Sequence, residues 1–309
     1  MKVLLTGATG FIGSHVARLL VAEGRRVYAV VRPGSDTRRI ADIAASLDVL
    51  PCDLSNTAEL EQHLDAVRPD VCLHFAWQAT AGGALTAAGN IQALNDSLQL
   101  ALRLASAGCR RLVVAGTCFE YDTSIGYLSE SSPTRPHTLY GASKLGLYQV
   151  LEQFSRVSEL KLAWLRFFYL YGPFEDERRL VPSVILSLLN KREAKVTPGR
   201  QIRDYLHVED AAGATLAVVE SELTGVVNIA SGNPVTVRDV VSEIGALLGR
   251  QDLLAFGALP YKEADPMFVC ANNGRLLKET SWTPRYDLAH GLRQTAGWWA
   301  GLPGASPSR

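Results

Sequence analysis

Residues 6–20 read TGATGFIGSHVARLL. The stretch follows a short apolar run, Lys2–Leu5, and passes into a segment whose apolar residues recur at helical spacing. Gly7, Gly10 and Gly13 stand between the two in the pattern GxxGxxG. Glycine lets a backbone turn tightly and come close to a pyrophosphate. The helix that follows offers N–H donors and the positive end of a dipole. Three glycines alone mark only a tight strand-to-helix turn; a strand immediately before them points to a dinucleotide.

Working outward, the same rhythm repeats. Strand-like runs KVLLTG, RVYAVVR, DVLPCD, VCLHFAW, RLVVAGT and LKLAWLRFF alternate with helix-like segments at 11–23, 37–46, 56–67, 84–107 and 139–157. Several runs are apolar at consecutive positions, as in a parallel sheet covered by helices on both faces. Alternation of this kind predicts a Rossmann-like, doubly wound parallel α/β sheet with its ligand beyond the carboxyl ends of the strands. After Phe168 the rhythm loosens through YLYGPFEDERRLVP. Residues 1–168 are therefore expected to form the dinucleotide-binding domain, with 205–230 returning to it. Residues 169–309 are expected to be mainly a smaller, mixed α/β substrate-binding portion.

Composition narrows the classes. The 309 residues are 47% hydrophobic and 20% charged, with a formal net charge of zero. No basic field advertises nucleic acid or an anionic membrane, and no apolar run is long enough to span a bilayer. The N-terminus lacks the apolar core of a secretion signal. Five cysteines, at 52, 72, 109, 118 and 270, show no CxxC spacing. That suits reduced thiols in a cytoplasm, with no metal site and no disulfide framework.

The end of the second strand bears on which nicotinamide cofactor is held. An acidic residue there would bind the free ribose hydroxyls of NAD. The chain instead reads Val30-Val31-Arg32-Pro33, with Arg38 and Arg39 following. A guanidinium suits a 2′-phosphate, so Arg32 favours NADP(H), with NAD(H) the alternative.

Tyr140 and Lys144 in YGASK stand one helical turn apart. A tyrosine of ordinary pKa is a poor base at neutral pH, but a neighbouring ammonium favours the phenolate. Such a tyrosine can exchange a proton with a carbinol or ketone while a nicotinamide exchanges a hydride. Thr117, ending the strand RLVVAGT, can hydrogen-bond the same oxygen.

These motifs resemble the extended short-chain dehydrogenase/reductases, in the group of nucleotide-sugar epimerases, dehydratases and reductases. The likeness spans nearly the whole chain: TGATGFIG, HFAW at 74–77, GT at 116–117, YGASK, RFFYLYGP at 166–173, GRQIRDYLHVEDAA at 199–212, VNIASG at 227–232 and SWTPRYDLAHGL at 281–292. It implies Tyr140 as general acid/base, Lys144 also holding the nicotinamide ribose, Thr117 orienting the sugar oxygen and Asn95 helping to order the site. It adds Thr9, Phe11, Ile12, Phe75, Ala76 and Phe167 to the cofactor contacts, and Asp53-Leu54 as the pair that brackets adenine. His74 is expected to buttress this region.

On the substrate side the resemblance implies Cys118, Tyr169 and Val181 in the pocket and Arg203 on the diphosphate. Tyr205 helps to shape the pocket, and Lys262 replaces a second arginine. Arg178 or Arg179 offers a further cation. A homodimer is implied through the helices 84–107 and 139–157.

Departures refine the reaction. Where dehydratases of this group carry aspartate and glutamate after the hydroxyl, this chain has Cys118 and Phe119; Glu120 follows one residue later, on the other side of an extended chain. Elimination of water needs both an acid and a base, so dehydration is disfavoured. The leading reading is NADPH-dependent reduction of a nucleotide-linked keto-deoxysugar, at C4, resembling reductases for sugars such as CDP-abequose. The alternative is a nucleotide-sugar 4-epimerase with tightly held cofactor. A non-catalytic NADP-binding regulator and a reductase of small carbonyl compounds stand behind these.

Overall fold

The glycine stretch joins the first strand to the first helix, as its spacing predicts. In a computed structural model, described for residues 1–77, 85–261 and 265–302, the chain begins β1 (Lys2–Thr6), α1 (Phe11–Ala22), β2 (Arg26–Val31) and β3 (Asp48–Pro51). Next come α2 (Thr57–Val67), β4 (Val71–His74), α3 (Gly89–Ser106), β5 (Arg111–Thr117), β6 (Tyr127–Leu128) and α4 (Leu139–Val157). They lead to β7 (Lys161–Phe167), β8 (Tyr169–Tyr171), α5 (Leu180–Leu189), β9 (Ala194–Val196) and β10 (Ile202–His207). The chain continues with α6 (Val208–Glu220), β11 (Gly225–Ile229), β12 (Pro234–Thr236) and α7 (Val237–Leu248). It closes with β13 (Leu254–Phe256), β14 (Phe268–Ala271), α8 (Gly274–Glu279) and α9 (Leu288–Ala300).

Strands β3-β2-β1-β4-β5-β7-β11 form one sheet, and every neighbouring pair in it is parallel. Successive residues of β1 serve opposite faces: Val3 and Leu5 enter one core cluster, with α1 and α6, and Leu4 enters another, with α2, α3 and α4. All four residues of β4 are buried, as befits a strand covered on both sides. Strand order reverses between β1 and β4. Loops leaving their carboxyl ends diverge there and open a crevice.

Residues 37–46 do not form the expected helix. They make two separate 3₁₀ turns, Arg38–Ile40 and Ala44–Ser46, of which only Ile40 is buried. A single anchored side chain cannot offset the cost of nucleating a longer helix.

A second sheet, β12-β10-β14-β6 with β8 paired to β10, combines strands from beyond Phe167 with β6 from the first half of the chain. Helices α5, α7 and α9 pack around Ile185, Val240 and Trp299. The chain then crosses back: α6 lies on α1, and β11 extends the large sheet beside β7. Tyr205 to His207 belong to β10 in the second sheet, so this return starts at Val208. Among the described residues no helix is long and apolar enough to cross a membrane.

Candidate active site

A cleft of about 600 Å³ runs along the carboxyl edge of β1 to β4. Gly7, Thr9 and Gly10 line it from the first loop, Arg32 from the end of β2, Asp53 and Leu54 from the end of β3, and Phe75 and Ala76 from the end of β4. The glycines are needed for packing. Gly7 has φ +75°, and a Cβ there would lie 2.5 Å from the Ala76 nitrogen. A Cβ on Gly13 would lie 2.1 Å from the Gly7 carbonyl oxygen. Gly10 is the N-cap of α1 and gives no side-chain cap, so among the described residues no side chain caps the first-turn N–H groups of Phe11, Ile12 and Gly13. That donor set, at a helix N-terminus beside a cleft, fits a pyrophosphate. The Ile12 side chain itself packs against the core.

His74 bridges the walls of the cleft, 2.7 Å from Thr6 Oγ1 and 2.8 Å from Ser97 Oγ. Burial, and then the charge of Lys144, push it down to about 3, so it is a neutral strut. Asp53 accepts from the Ser55 N–H (3.0 Å) and hydroxyl (2.8 Å), which with the charge of Arg32 hold it below the usual carboxylate range. Asn56, and not Asp53, caps α2. Phe167 is only 5% exposed, with its ring 6.0 Å from Phe75, so it backs the cleft and does not line it. Of the three arginines that follow β2, Arg38 is paired with Asp36 at 2.8 Å and Arg39 donates to the Phe174 carbonyl at 2.9 Å. Arg32 is exposed at the lip.

Thr117, Tyr140 and Lys144 come together at the end of β5. Thr138 caps α4 by accepting from the Gly141 N–H at 3.1 Å, which sets the turn carrying Tyr140 against the strand. The Thr117 hydroxyl accepts from the Phe119 N–H at 3.3 Å and lies within electrostatic reach of the Tyr140 phenol. Lys144 is buried; its ammonium donates to the Ala115 carbonyl at 2.7 Å and lies 3.7 Å from the Trp77 ring centroid. Trp77 also meets Tyr140 edge to face at 6.2 Å and lines the cleft. One indole thus joins Tyr140 and Lys144 to the glycine-lined cleft.

Burial depresses Lys144 to about 7, opposed by the charge of Glu120, and pushes the Tyr140 phenol up. The simple expectation that Lys144 lowers the tyrosine is corrected here: desolvation dominates both groups, and the amine is turned to a carbonyl and an indole.

Three further expectations change. Asn95 is exposed, whereas Ala93 and Ser97 of α3 face inward. Two residues along a helix turn about 200°, so Asn95 occupies the face opposite both. The buried amide of this helix is Asn90, which accepts from Trp77 Nε1 at 2.8 Å. Cys118 is 2% exposed and packs among Tyr121, Leu128 and Phe168, with burial pushing its thiol up to about 12. It underlies the pocket and does not face it. Glu120 is not beyond an extended segment, because Cys118 to Glu120 form a 3₁₀ turn that drives the carboxylate into the core. There it meets Arg166 at 2.7 Å.

On the substrate side Tyr169 and Tyr205 stand 6.0 Å apart, and Arg203 lies 5.2 Å from the Tyr169 ring centroid. Arg203 is 3% exposed and already bound, with Nη2 2.6 Å from Asp265. Val181 is 1% exposed, inside the α5–α7–α9 core, so its side chain builds no pocket wall. Lys262 lies outside the described residues. Arg178 pairs with Asp176 at 2.7 Å on its own loop. Arg179 stands 3.8 Å from Glu175 and within electrostatic reach of Tyr140 and Tyr205.

Sequence reasoning passed over Trp77, Ser97 and Glu175. Ser97, two residues beyond Asn95 on α3, carried a signal: its spacing from Ala93 puts it on the buried stripe. Glu175, in a charged loop, carried none. Burial pushes it up to about 8, and its Oε2 has no hydrogen-bond partner among the described residues.

Residues 3–230 match the family described as "NAD dependent epimerase/dehydratase family". The chain is 26% identical over 276 residues to a dTDP-6-deoxy-L-talose 4-dehydrogenase (NAD(+)) of Aggregatibacter actinomycetemcomitans, covering 87% of this chain and 98% of that one. It is 28% identical over 342 residues to a UDP-glucose 4-epimerase of Azospirillum brasilense, covering 100% and 97%. Among solved structures, the UDP-glucose 4-epimerase of Thermus thermophilus in complex with NAD superposes with a TM-score of 0.87 at 24% identity, over 98% of this chain and 100% of that one.

Proposed function

Because the chain belongs to the NAD-dependent epimerase/dehydratase family, we propose that it inverts carbon 4 of a nucleotide-linked hexose as a 4-epimerase with a retained NAD. The observation that carries this reading is the gathering of Thr117, Tyr140 and Lys144 at the end of β5, joined to the dinucleotide cleft by Trp77, which meets both Tyr140 and Lys144. UDP-glucose 4-epimerases among the relatives favour it over the ketoreductase expected from sequence.

NAD held by the glycine loop and the strand ends of the cleft would supply the hydride acceptor and return the hydride. Tyr140 takes the proton of the C4 hydroxyl and gives it back. Thr117 donates to the same oxygen and steadies charge as it develops. Lys144, one helical turn beyond Tyr140 and buried on the Ala115 carbonyl, is the residue expected to hold the nicotinamide ribose. Arg203, beside Tyr169 and Tyr205, holds the diphosphate in exchange for Asp265. Ile91 and Leu102 on α3, with Val150 and Val157 on α4, are exposed and support a homodimer through those helices.

A second reading, reduction at C4, keeps support from Arg32 at the lip and from the 4-dehydrogenase relative. Purified protein given UDP-hexoses and followed at the nicotinamide absorbance decides between them. Epimer formation without net absorbance change, lost about 1,000-fold in Tyr140→Phe, supports the epimerase. Stoichiometric oxidation or reduction of added cofactor assigns the second reading.

A further inference from the structure

We infer that Glu120 is a positioning residue, a buried carboxylate that fixes the backbone of Thr117 and thereby aims its hydroxyl. The inference rests on the proposed reading, in which Thr117 meets the reacting oxygen. Glu120 is 0% exposed. Its Oε1 accepts from the Thr117 N–H at 2.8 Å and from the Trp164 indole at 3.0 Å. Its Oε2 accepts from Arg166 Nε at 2.7 Å and from the same indole at 3.0 Å. Thr117 closes the loop from its own side, since its hydroxyl accepts from the Phe119 N–H at 3.3 Å. The two bonds make a reciprocal clasp that locks the strand end to the 3₁₀ turn.

Space for this clasp is built in. A Cβ on Gly116 would lie 2.2 Å from Trp164 Nε1 and 2.7 Å from Glu120 Oε1, so only glycine admits both groups. Arg166 in turn rests 4.2 Å from the Tyr121 ring centroid, with little exposure of its own. A buried ion pair is weak evidence of stabilisation in itself, and retention of such a pair is better explained by what it orients. Here the oriented group is the N–H of Thr117, whose hydroxyl lies within electrostatic reach of Tyr140.

The division of labour between the two oxygens makes the inference testable. In Glu120→Gln an amide replaces Oε2 and faces the Arg166 N–H, donor against donor, so this variant alone is expected to fold poorly. Pairing each change with Arg166→Met removes the clash. In E120Q/R166M the remaining oxygen still accepts from Thr117 and Trp164. In E120L/R166M the site is filled, but the Thr117 N–H has no acceptor.

E120Q/R166M is expected to keep kcat within about threefold of wild type. E120L/R166M is expected to lose about 10- to 100-fold in kcat at unchanged KM and cofactor affinity, as misplacement of a reacting group does. In a Thr117→Ala background the two pairs should turn over alike, because the residue being positioned is gone. Equal kcat for the two pairs in the wild-type background overturns the inference, as does an equal difference in both backgrounds. Amide hydrogen exchange at Thr117 reads the clasp without any substrate: protection retained in E120Q/R166M and lost in E120L/R166M supports it. If wild type turns over no nucleotide sugar, the proposed reaction fails while the exchange result still decides the clasp.

Discussion

The two sides of the crevice are built by different means. The cofactor side uses backbone: glycines that admit close approach, an uncapped helix N-terminus and strand ends in fixed register. The substrate side uses side chains that already hold one another, with Arg203 on Asp265 and Glu175 half-matched to Arg179. A backbone cradle binds any molecule with a pyrophosphate, so it is common to many chemistries. A set of paired side chains must be prised apart by its ligand, and that exchange is where selectivity arises.

The sharpest way to break this contrast is at Gly13. Gly13→Ala puts a Cβ 2.1 Å from the Gly7 carbonyl oxygen and should weaken NAD binding by about 100-fold, roughly 3 kcal/mol. Gly146→Ala, where a Cβ meets nothing within 4 Å, should leave binding alone and raise helix stability by about 0.5–1 kcal/mol. Fluorescence titration with the cofactor checks the binding of both variants, and thermal melts check the helix.

A smaller effect is expected across the crevice. Arg203→Ala should raise KM for a nucleotide sugar about 10-fold and leave NAD affinity unchanged, as initial rates and the same titration would show. A change in NAD affinity would mean that the two sides are not independent.

The smallest effect is on stability. Burial raises Glu175 from 4.5 to about 8, so between those values the folded chain holds a proton that the unfolded chain has released. This contribution to stability therefore falls as pH rises through that window. Glu175→Gln should raise Tm by roughly 5 °C at pH 8.5 and by almost nothing near pH 4, measured by thermal melts at each pH. A gain that is the same at both would show that Glu175 does not titrate as its surroundings dictate.

The same contrast explains what could be read from the chain. The parallel sheet, the glycine loop and the Thr117–Tyr140–Lys144 set were legible, because periodicity and spacing report backbone geometry directly. Arg32 follows from its strand end, whereas Asp53 and Ala76 come from the family resemblance. What was not legible depends on which way a side chain turns. Asn95 and Ser97 are two residues apart and take opposite faces of α3. Cys118 and Glu120 could be placed only once the segment proved to be a 3₁₀ turn and not a strand. Arg203 was found, but its partner Asp265, 62 residues further on, was not.

In the proposed reaction one carbon gives up a hydride and receives it back within a single active site. A UDP-hexose carrying deuterium at C4 tests this directly, with the products read by NMR and the cofactor by mass. The expected product is a 4-epimer with its deuterium kept at C4 and no net change in the cofactor. Deuterium passed to released cofactor, or product formed only in step with added NADPH, would contradict it.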